Sequence, residues 1–217
     1  MNGRKILWGV PVAIWLTFTF WYTDLGGSLT SDEISRGLQD LKDRGYSSDA
    51  MARVEAFLQN DTGRQFLMVN NIQMNDNPPQ MAGFGADATA ADYRDHYMEH
   101  MYSQLLSRAC HPIFYAAGQN FVADITGVDR ATASGWDTAA LFRYRSRRSF
   151  LEIITHPAMR GRHDYKIAAM TKTIAYPVEP SLYVSDLRFI LFLVLGLITA
   201  LVDILLFQRR EVTKNND

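Results

Sequence analysis

Residues 6–22 read ILWGVPVAIWLTFTFWY, and residues 189–207 read FILFLVLGLITALVDILLF. Each apolar stretch is close to the ~20 residues that a helix needs to cross the hydrocarbon core of a bilayer. A helix is the expected structure for both, because it satisfies its backbone polar groups internally and lipid offers them no partner. The sequence therefore predicts a transmembrane helix near each end of the chain, with the residues between them attached to the membrane twice.

The charges that flank the two stretches predict how the chain is oriented. Arg4 and Lys5 precede the first stretch, and the second is followed by Arg209, Arg210 and Lys214. The inner flanks are acidic apart from Arg188; they carry Asp24, Asp32, Glu33, Glu179 and Asp186. Under the positive-inside rule, both termini are cytoplasmic and the middle of the chain lies across the membrane. We therefore expect a bacterial inner-membrane protein with a periplasmic central domain.

The first stretch admits two other interpretations. A cleaved signal peptide also has a short basic start and an apolar run, but Trp21, Tyr22 and Asp24 follow here instead of a small-residue cleavage site. An interfacial helix would accommodate Pro11. The aromatic residues at the outer end favour a spanning helix, because they fit the aromatic belt at the headgroup level; they are Trp15, Phe18, Phe20, Trp21 and Tyr22.

The composition of the 217-residue chain fits one globular domain between two anchors. Residues 24–188 carry 17 Lys and Arg against 20 Asp and Glu, a net charge of −3, which gives no reason to expect a nucleic-acid partner. The single cysteine, Cys110, excludes an intrachain disulfide and cysteine-rich metal or iron–sulfur sites. No C-x-x-C-H motif occurs, which excludes covalent c-type haem, and we expect no cofactor.

The middle of the chain shows an order of elements that predicts its fold. Capping residues and helical periodicity indicate a hairpin of two helices over 30–60. The residues that follow predict, in order, a strand at 65–74, a loop at 75–88, a helix at 89–110, a strand at 112–125, a polar loop at 126–135, a strand at 136–144, a helix at 146–155, helical turns at 158–170 and a last strand at 171–178. This order is typical of an α+β domain with the ferredoxin-like βαββαβ arrangement. Helices cover one face of such a sheet, and a second copy commonly covers the other.

The predicted organisation has four parts. They are a cytoplasmic N-terminus with the first transmembrane helix (1–23), a helical hairpin (24–63), a ferredoxin-like α+β domain (64–180), and the second transmembrane helix with a cytoplasmic tail (181–217).

Residues 136–144 (WDTAALFRY) and 146–151 (SRRSFL), followed by His156-Pro157 and a terminal strand, carry a resemblance to a known family. This part of the chain resembles the second half of the small dimeric α+β-barrel proteins, the EthD-like domains related to antibiotic-biosynthesis monooxygenases. The resemblance covers residues 64–180 and implies the fold. It implies no catalytic residue, because many members have no established catalysis. Members are usually soluble and single-domain, so the hairpin and both membrane segments are additions here.

His96, Glu99 and His100 form an H-x-x-E-H motif on a predicted helix. This is the inverzincin spacing, in which two imidazoles four residues apart bind zinc and the glutamate acts as base. A third ligand such as His111 or His163 would be required. The competing interpretation is a polar helix face with incidental histidines, and we predict neither a metal nor a catalytic residue. His96, Tyr97, Glu99 and His100 are the candidates if that prediction is wrong.

Four arginines, which are Arg143, Arg145, Arg147 and Arg148, form a basic cluster with Arg160, Arg162 and Lys166. An anionic ligand, lipid headgroups or an acidic partner surface would suit such a cluster. The alternative is a solvated face paired locally with Glu152 and Asp164.

The apolar stretches also carry small residues one turn apart. Gly9 and Ala13 lie in the first, and Gly196 and Ala200 lie in the second, with Asp203 one turn further. Small residues let helices approach closely, so these faces predict packing either between the two helices or on a partner helix. Asp203 pairs with Arg209 or Arg210 in one interpretation and with a partner helix in the other.

Three functions compete. The first is a non-catalytic accessory subunit of a larger inner-membrane complex, of the respiratory or photosynthetic type, with other integral membrane subunits or a second copy as partner. The second is a membrane-tethered monooxygenase-like or small-ligand-binding barrel that uses His96, Tyr97, His100 and Arg143. The third is a periplasmic sensing module, which the short tails disfavour because they leave no room for an output domain.

Overall fold

The computed structural model of the chain describes residues 3–208. They form two compact units. The helix-pair unit takes its described residues from 1–25 and 181–217, and the sheet unit is Gly26–Pro180. The basic residues Arg209, Arg210 and Lys214, on which part of the orientation prediction rests, lie outside the described residues.

Eight α-helices and four strands occur within 3–208. The helices are α1 (Gly3–Tyr22), α2 (Ser31–Asp43), α3 (Ser48–Gln59), α4 (Ala90–Ser107), α5 (Arg130–Ala133), α6 (Arg147–Ile154), α7 (His163–Ala168) and α8 (Leu187–Asp203). The strands are β1 (Phe66–Met74), β2 (His111–Ala117), β3 (Thr138–Tyr144) and β4 (Met170–Val178). A 3-10 turn at Pro157–Met159 follows α6, and α8 continues into a π-helical turn at Ile204–Gln208. The prediction of an α+β fold is confirmed.

The helix-pair unit consists of α1 and α8, which run antiparallel. Trp15 Nε1 donates to the carbonyl of Arg188 at 2.8 Å, and Arg4 lies beside Asp203 at the other end of the pair. Of the helices within 3–208, one is long and apolar enough to cross a membrane, over Leu187–Phe207, and 11% of its apolar window is buried. The other predicted span, α1, forms a helix but does not meet the same test, so its crossing of a membrane stays a prediction.

The strands of the sheet unit pair in the order β2-β3-β1-β4, and all three pairs are antiparallel. Phe66 at the start of β1 lies opposite Tyr144 at the end of β3, and Leu67 lies opposite Val178 at the end of β4. One edge of the sheet therefore gathers the start of β1 with the ends of β3 and β4.

One face of the sheet packs on helices, and the other is largely open. Phe66 stacks on Tyr144 with ring centroids 5.0 Å apart, and the buried stripe of α4 adds Tyr97, Met101 and Leu105 to the same core. On the opposite face, exposed apolar side chains remain on the outer strands: Phe114 (49% exposed), Ile174 (43%) and Tyr176 (46%). The expectation of an uncovered sheet face agrees with this exposure.

The structure corrects the prediction for the region after β2. The apolar residues Phe121 and Ile125 suggested a strand to 125, but β2 ends at Ala117, and the predicted loop at 126–135 contains the short helix α5. Gly118 follows the strand and allows a close approach to the neighbouring segment, since a Cβ at this position would lie 1.8 Å from the carbonyl oxygen of Trp136. Phe121 is left 82% exposed in the loop beyond the strand.

Candidate functional site

The four arginines of the predicted basic cluster do not share one solvent-exposed surface. Arg143 on β3 is fully buried; its Nε donates to Gln65 Oε1 at 2.8 Å, and its Nη1 donates to the carbonyl of Ala109 at 2.6 Å. Arg145 Nε donates to Ser149 Oγ at 3.3 Å. Arg143 thus ties the approach to β1 to the junction between α4 and β2, where a ligand in solvent does not reach it.

Arg148 holds the segment that enters the sheet unit. Its Nε donates to Glu33 Oε1 at 2.7 Å, and its two terminal nitrogens donate to the carbonyls of Gly27 and Ser28 at 3.1 and 3.2 Å. The hydrogen bond from Arg148 lowers the pKa of Glu33 to about 2, helped by the backbone N–H of Thr30. This cation therefore bridges the first turn of α2 and the chain just before it.

Arg147 holds the segment that leaves the sheet unit. Its Nη2 lies 2.9 Å from Glu179 Oε1, its guanidinium lies 4.5 Å from the centroid of the Phe57 ring, and its Nη1 donates to the Phe57 carbonyl. Its Nε lies 3.7 Å from Asp61 Oδ1 and makes no hydrogen bond. Asp61 in turn accepts from the backbone N–H of Leu29 at 2.8 Å.

Two sets of ion pairs lie side by side at the first turn of α6, one around Arg147 and one around Arg148, and together we call them the linker clamp. Its members are Glu33, Asp61, Arg147, Arg148 and Glu179. The sequence singled out both arginines, but it did not identify the carboxylates that they contact, which lie between 32 and 115 positions away. The clamp uses two of the predicted partner-binding arginines for contacts within the chain.

A small open cavity of about 250 Å³ lies beside the clamp, between α3, the start of α6 and the end of β4. It is lined by Ala56, Phe57, Asn60, Phe66, Arg147, Pro177, Val178 and Glu179. The walls are mainly apolar. The polar groups on its border have partners inside the protein, since Asn60 Nδ2 donates to the Ala56 carbonyl at 2.7 Å and Arg147 bonds to Glu179.

The H-x-x-E-H residues lie on α4 as predicted, and the two histidine rings are 5.7 Å apart. His96 Nδ1 lies 4.0 Å from Glu99, while Nε2 of His96 is in contact with Arg162 Nη1. Partial burial lowers the pKa of His96, and the nearby Arg162 cation lowers it further. Residues 3–208 contain no group of three or more His, Cys, Asp or Glu placed to hold a metal ion.

The remaining candidates for the histidine site lie apart from it. His163 packs near Tyr46, with ring centroids 6.1 Å apart, and His111 Nδ1 lies 3.0 Å from the carbonyl of Pro112. Tyr97 belongs to the buried core, where burial raises the pKa of its hydroxyl far above the usual value. A phenol in that environment stays protonated and is a poor general base.

Three of the four small residues of the apolar helices, Gly9, Ala13 and Gly196, do not form the contact between α1 and α8. A Cβ added to Gly9 or Gly196 would meet no other atom within 4 Å, and Ala13 is exposed. Trp15 makes the contact instead, edge-on to Phe192 with ring centroids 5.8 Å apart. Ala200 is half-buried. The outward glycine faces are therefore free of the helix pair itself.

Asp203 pairs across the helix pair. Both of its carboxylate oxygens accept from Arg4, at 2.9 and 2.7 Å, and its side chain is 8% exposed. At the other end of the pair, Arg188 Nη1 donates to Thr23 Oγ1 at 2.9 Å, and its Nε donates to Asp186 Oδ1. Each end of the helix pair is thus closed by an arginine with a partner in the same unit.

Comparisons with known proteins add the fold and nothing about activity. No family model matches the chain, and no curated protein matches it. The RPA0582 protein of Rhodopseudomonas palustris, described as a protein of unknown function, is similar over 64% of this chain and 96% of its own, with 15% identity and a TM-score of 0.50. The methylated RPA0582 protein gives 16% identity, 65% and 96% coverage, and the same TM-score. At these identities the likeness shows a shared fold alone.

Proposed function

We propose that the chain is a non-catalytic accessory subunit of a larger inner-membrane complex of the respiratory or photosynthetic type. In this proposal α1 and α8 both cross the membrane, and a ferredoxin-like domain braces the complex from the periplasm. The observation that carries the proposal is the helix pair, in which Arg4 of α1 pairs with Asp203 of α8 and α8 leaves most of its apolar surface uncovered.

The charge pairing supports membrane insertion of both helices. A carboxylate in the hydrocarbon region is costly unless it is paired, and Asp203 has a two-pronged partner in Arg4 on the other helix. Because α1 supplies that partner, we infer that α1 lies in the membrane with α8, although its composition is less apolar. Arg4 and Lys5 at that end support a cytoplasmic location for it.

The strand order supports a ferredoxin-like topology. Read from the other edge, the sheet runs β4-β1-β3-β2, and α4 and α6 provide the two crossovers of a βαββαβ unit. The open face of this sheet pairs Val69 with Leu141 and Tyr176, and Leu141 with Phe114. An apolar face of this kind supports docking of another subunit or of a second copy.

The arrangement of polar residues supports a role without catalysis. Arg143, Arg147 and Arg148 bind carbonyls and carboxylates of the same chain, and Tyr97 is buried in the core. These candidates do not converge on one accessible point.

A small-ligand-binding barrel is the alternative, and the cavity between Phe57, Phe66 and Pro177 is the observation in its favour. At about 250 Å³ it is below the ~300–1,000 Å³ usual for ligand pockets.

The test is native mass spectrometry of the tagged full chain after extraction of its own membranes with a mild detergent. We expect stoichiometric integral membrane subunits to accompany the chain. A Leu141→Asp variant, which charges the open sheet face, should lose a partner docked there, while the matched Phe121→Asp variant at an exposed loop position should keep it. A chain that emerges alone contradicts the proposal, and one that emerges only as a homodimer does so too.

A further inference from the structure

The chain enters the sheet unit at Gly26 and leaves it at Pro180, and the first turn of α6 contacts the chain next to both points. β1 begins at Phe66 and β4 ends at Val178, and both residues lie at the edge where β3 ends at Tyr144. α6 starts only three residues beyond Tyr144, so Arg147 and Arg148 of its first turn lie where the two segments meet. We call residues 26–29 the entry linker and residues 179–180 the exit linker.

The entry linker is docked on the sheet unit by several contacts. Arg148 binds the carbonyls of Gly27 and Ser28, and Asp61 accepts from the N–H of Leu29. Gly63 has a φ of +70°, and a Cβ there would lie 2.9 Å from the carbonyl carbon of Gly27. The turn after α3 therefore packs against the entry linker at a distance that only glycine permits.

The exit linker is docked by the neighbouring arginine. Glu179 Oε1 lies 2.9 Å from Arg147 Nη2 and accepts from Thr62 Oγ1 at 2.6 Å. The Arg147 side chain is 9% exposed, and that of Asp61 is 2% exposed. A buried charge of this kind is stable only while its oppositely charged partner is present, because an isolated buried charge is costly.

We propose that the linker clamp is a charge-dependent device that fixes both linkers to the sheet unit and so sets the length of the tethers to the membrane helices. The proposal rests on the membrane anchoring of the proposed function. Docked, the entry linker is held to the sheet unit from Gly27 onward. Released, the tether gains the residues from Gly27 to Thr30 at the start of α2, which add at most ~14 Å of extended chain. A short tether suits a domain that braces neighbouring subunits at a fixed distance.

Hydrogen exchange of the full chain in detergent, followed by mass spectrometry, tests the clamp. The peptide that contains Leu29 and Thr30 should be protected in the wild-type protein. Arg148→Met should speed its exchange about tenfold or more, since two charge-assisted contacts to the linker are lost. Arg108→Met is the matched control. It removes a similar ion pair, in which Arg108 Nε lies 2.9 Å from Glu152 Oε2, and this pair lies away from the linkers. It should leave the linker peptide unchanged.

Two results would overturn the proposal. One is free exchange of the Leu29 peptide in the wild-type protein, and the other is equal exchange in the Arg148→Met and Arg108→Met variants. Peptides from β3 report whether a variant still folds; if Arg148→Met does not, Arg148→Gln provides the same comparison with a milder change. The readout needs no partner protein, so a failed search for co-purifying subunits leaves it intact.

Discussion

Replacing Arg147 by methionine should lower the free energy of unfolding of the sheet unit more than any other change in the clamp. The methionine keeps part of the apolar stem against Phe57 but removes the cation. Asp61, with a side chain 2% exposed, would lose its positive neighbour at 3.7 Å while keeping the N–H groups of Leu29 and Gly63. Removing one partner of a buried pair costs ~3–5 kcal/mol, and the retained hydrogen bonds place the expected loss near the lower value, about 3 kcal/mol.

Arg148→Met is the matched comparison within the same helical turn. Its partner Glu33 is 27% exposed, so solvent screens the pair and the expected loss is about 1 kcal/mol. Pulse proteolysis of the full chain across a urea series measures both losses. An Arg147→Met variant within about 0.5 kcal/mol of the wild type would refute the reasoning, as would a larger loss for Arg148→Met. The double variant with Asp61→Asn should lose less than the sum of the two single losses, because the buried charge is then removed as well.

Three further changes test other parts of the account. The pKa of Glu33 is lowered from 4.5 to about 2, so its carboxylate should contribute stability that is fully present above pH 4.5 and is lost as the pH falls towards 2. Acid unfolding should show this loss as about 1 kcal/mol in the free energy of unfolding, because solvent screens the pair. Gly63→Ala should cost about 1–2 kcal/mol and expose the entry linker to exchange, since its φ is +70° and its Cβ would strike Gly27. Arg4→Asp should weaken the association of α1 with α8, measured by cross-linking in membranes, and the added change Asp203→Arg should restore it.

Each of these has an outcome that contradicts it. A flat acid profile in a Glu33→Gln comparison would show that the Glu33 carboxylate is not stabilising. For the glycine, Gly83→Ala is the control, because its φ is +85° but no atom lies within 4 Å of the added Cβ. Equal hydrogen exchange of the entry linker in the two glycine variants would show that the close approach of Gly63 to Gly27 does not protect the linker. Failure of the reversed charges to restore cross-linking would mean that Arg4 and Asp203 do not pair in the membrane.

Local sequence signals predicted most of the fold. Thr30 with Glu33 has capping-box spacing, and the structure has both reciprocal hydrogen bonds at that helix start. The helical periodicity of apolar residues over 89–110 predicted the buried stripe that the structure shows on α4. The prediction was wrong for β2, because apolar content alone suggested a strand as far as Ile125. Just beyond the end of β2, Gly118 passes close to Trp136, a contact between distant segments that no local pattern encodes.

The site was less predictable, because its residues depend on contacts between distant parts of the chain. Arg147 and Arg148 stood out as charges, but their partners Glu179 and Glu33 lie 32 and 115 positions away. The same limit applied to Asp203, for which the sequence suggested either Arg209 or Arg210 or a partner helix, and whose partner within the described residues is Arg4. Spacing placed Gly9 and Gly196 on helix faces but did not reveal that both faces point away from the helix pair.

The double crossing of the membrane is the central claim, and single-cysteine labelling tests it most directly. Cys110 is free and buried, so a Cys110→Ser background is suitable for new cysteines in the sheet unit (Asp87→Cys) and near the two ends (Gly3→Cys and Asn216→Cys). In spheroplasts, a membrane-impermeant maleimide should label Asp87→Cys at once and label the two terminal variants only after the membrane is permeabilised. Labelling of one terminus but not the other in intact spheroplasts would mean that a single helix crosses, and it would contradict the account.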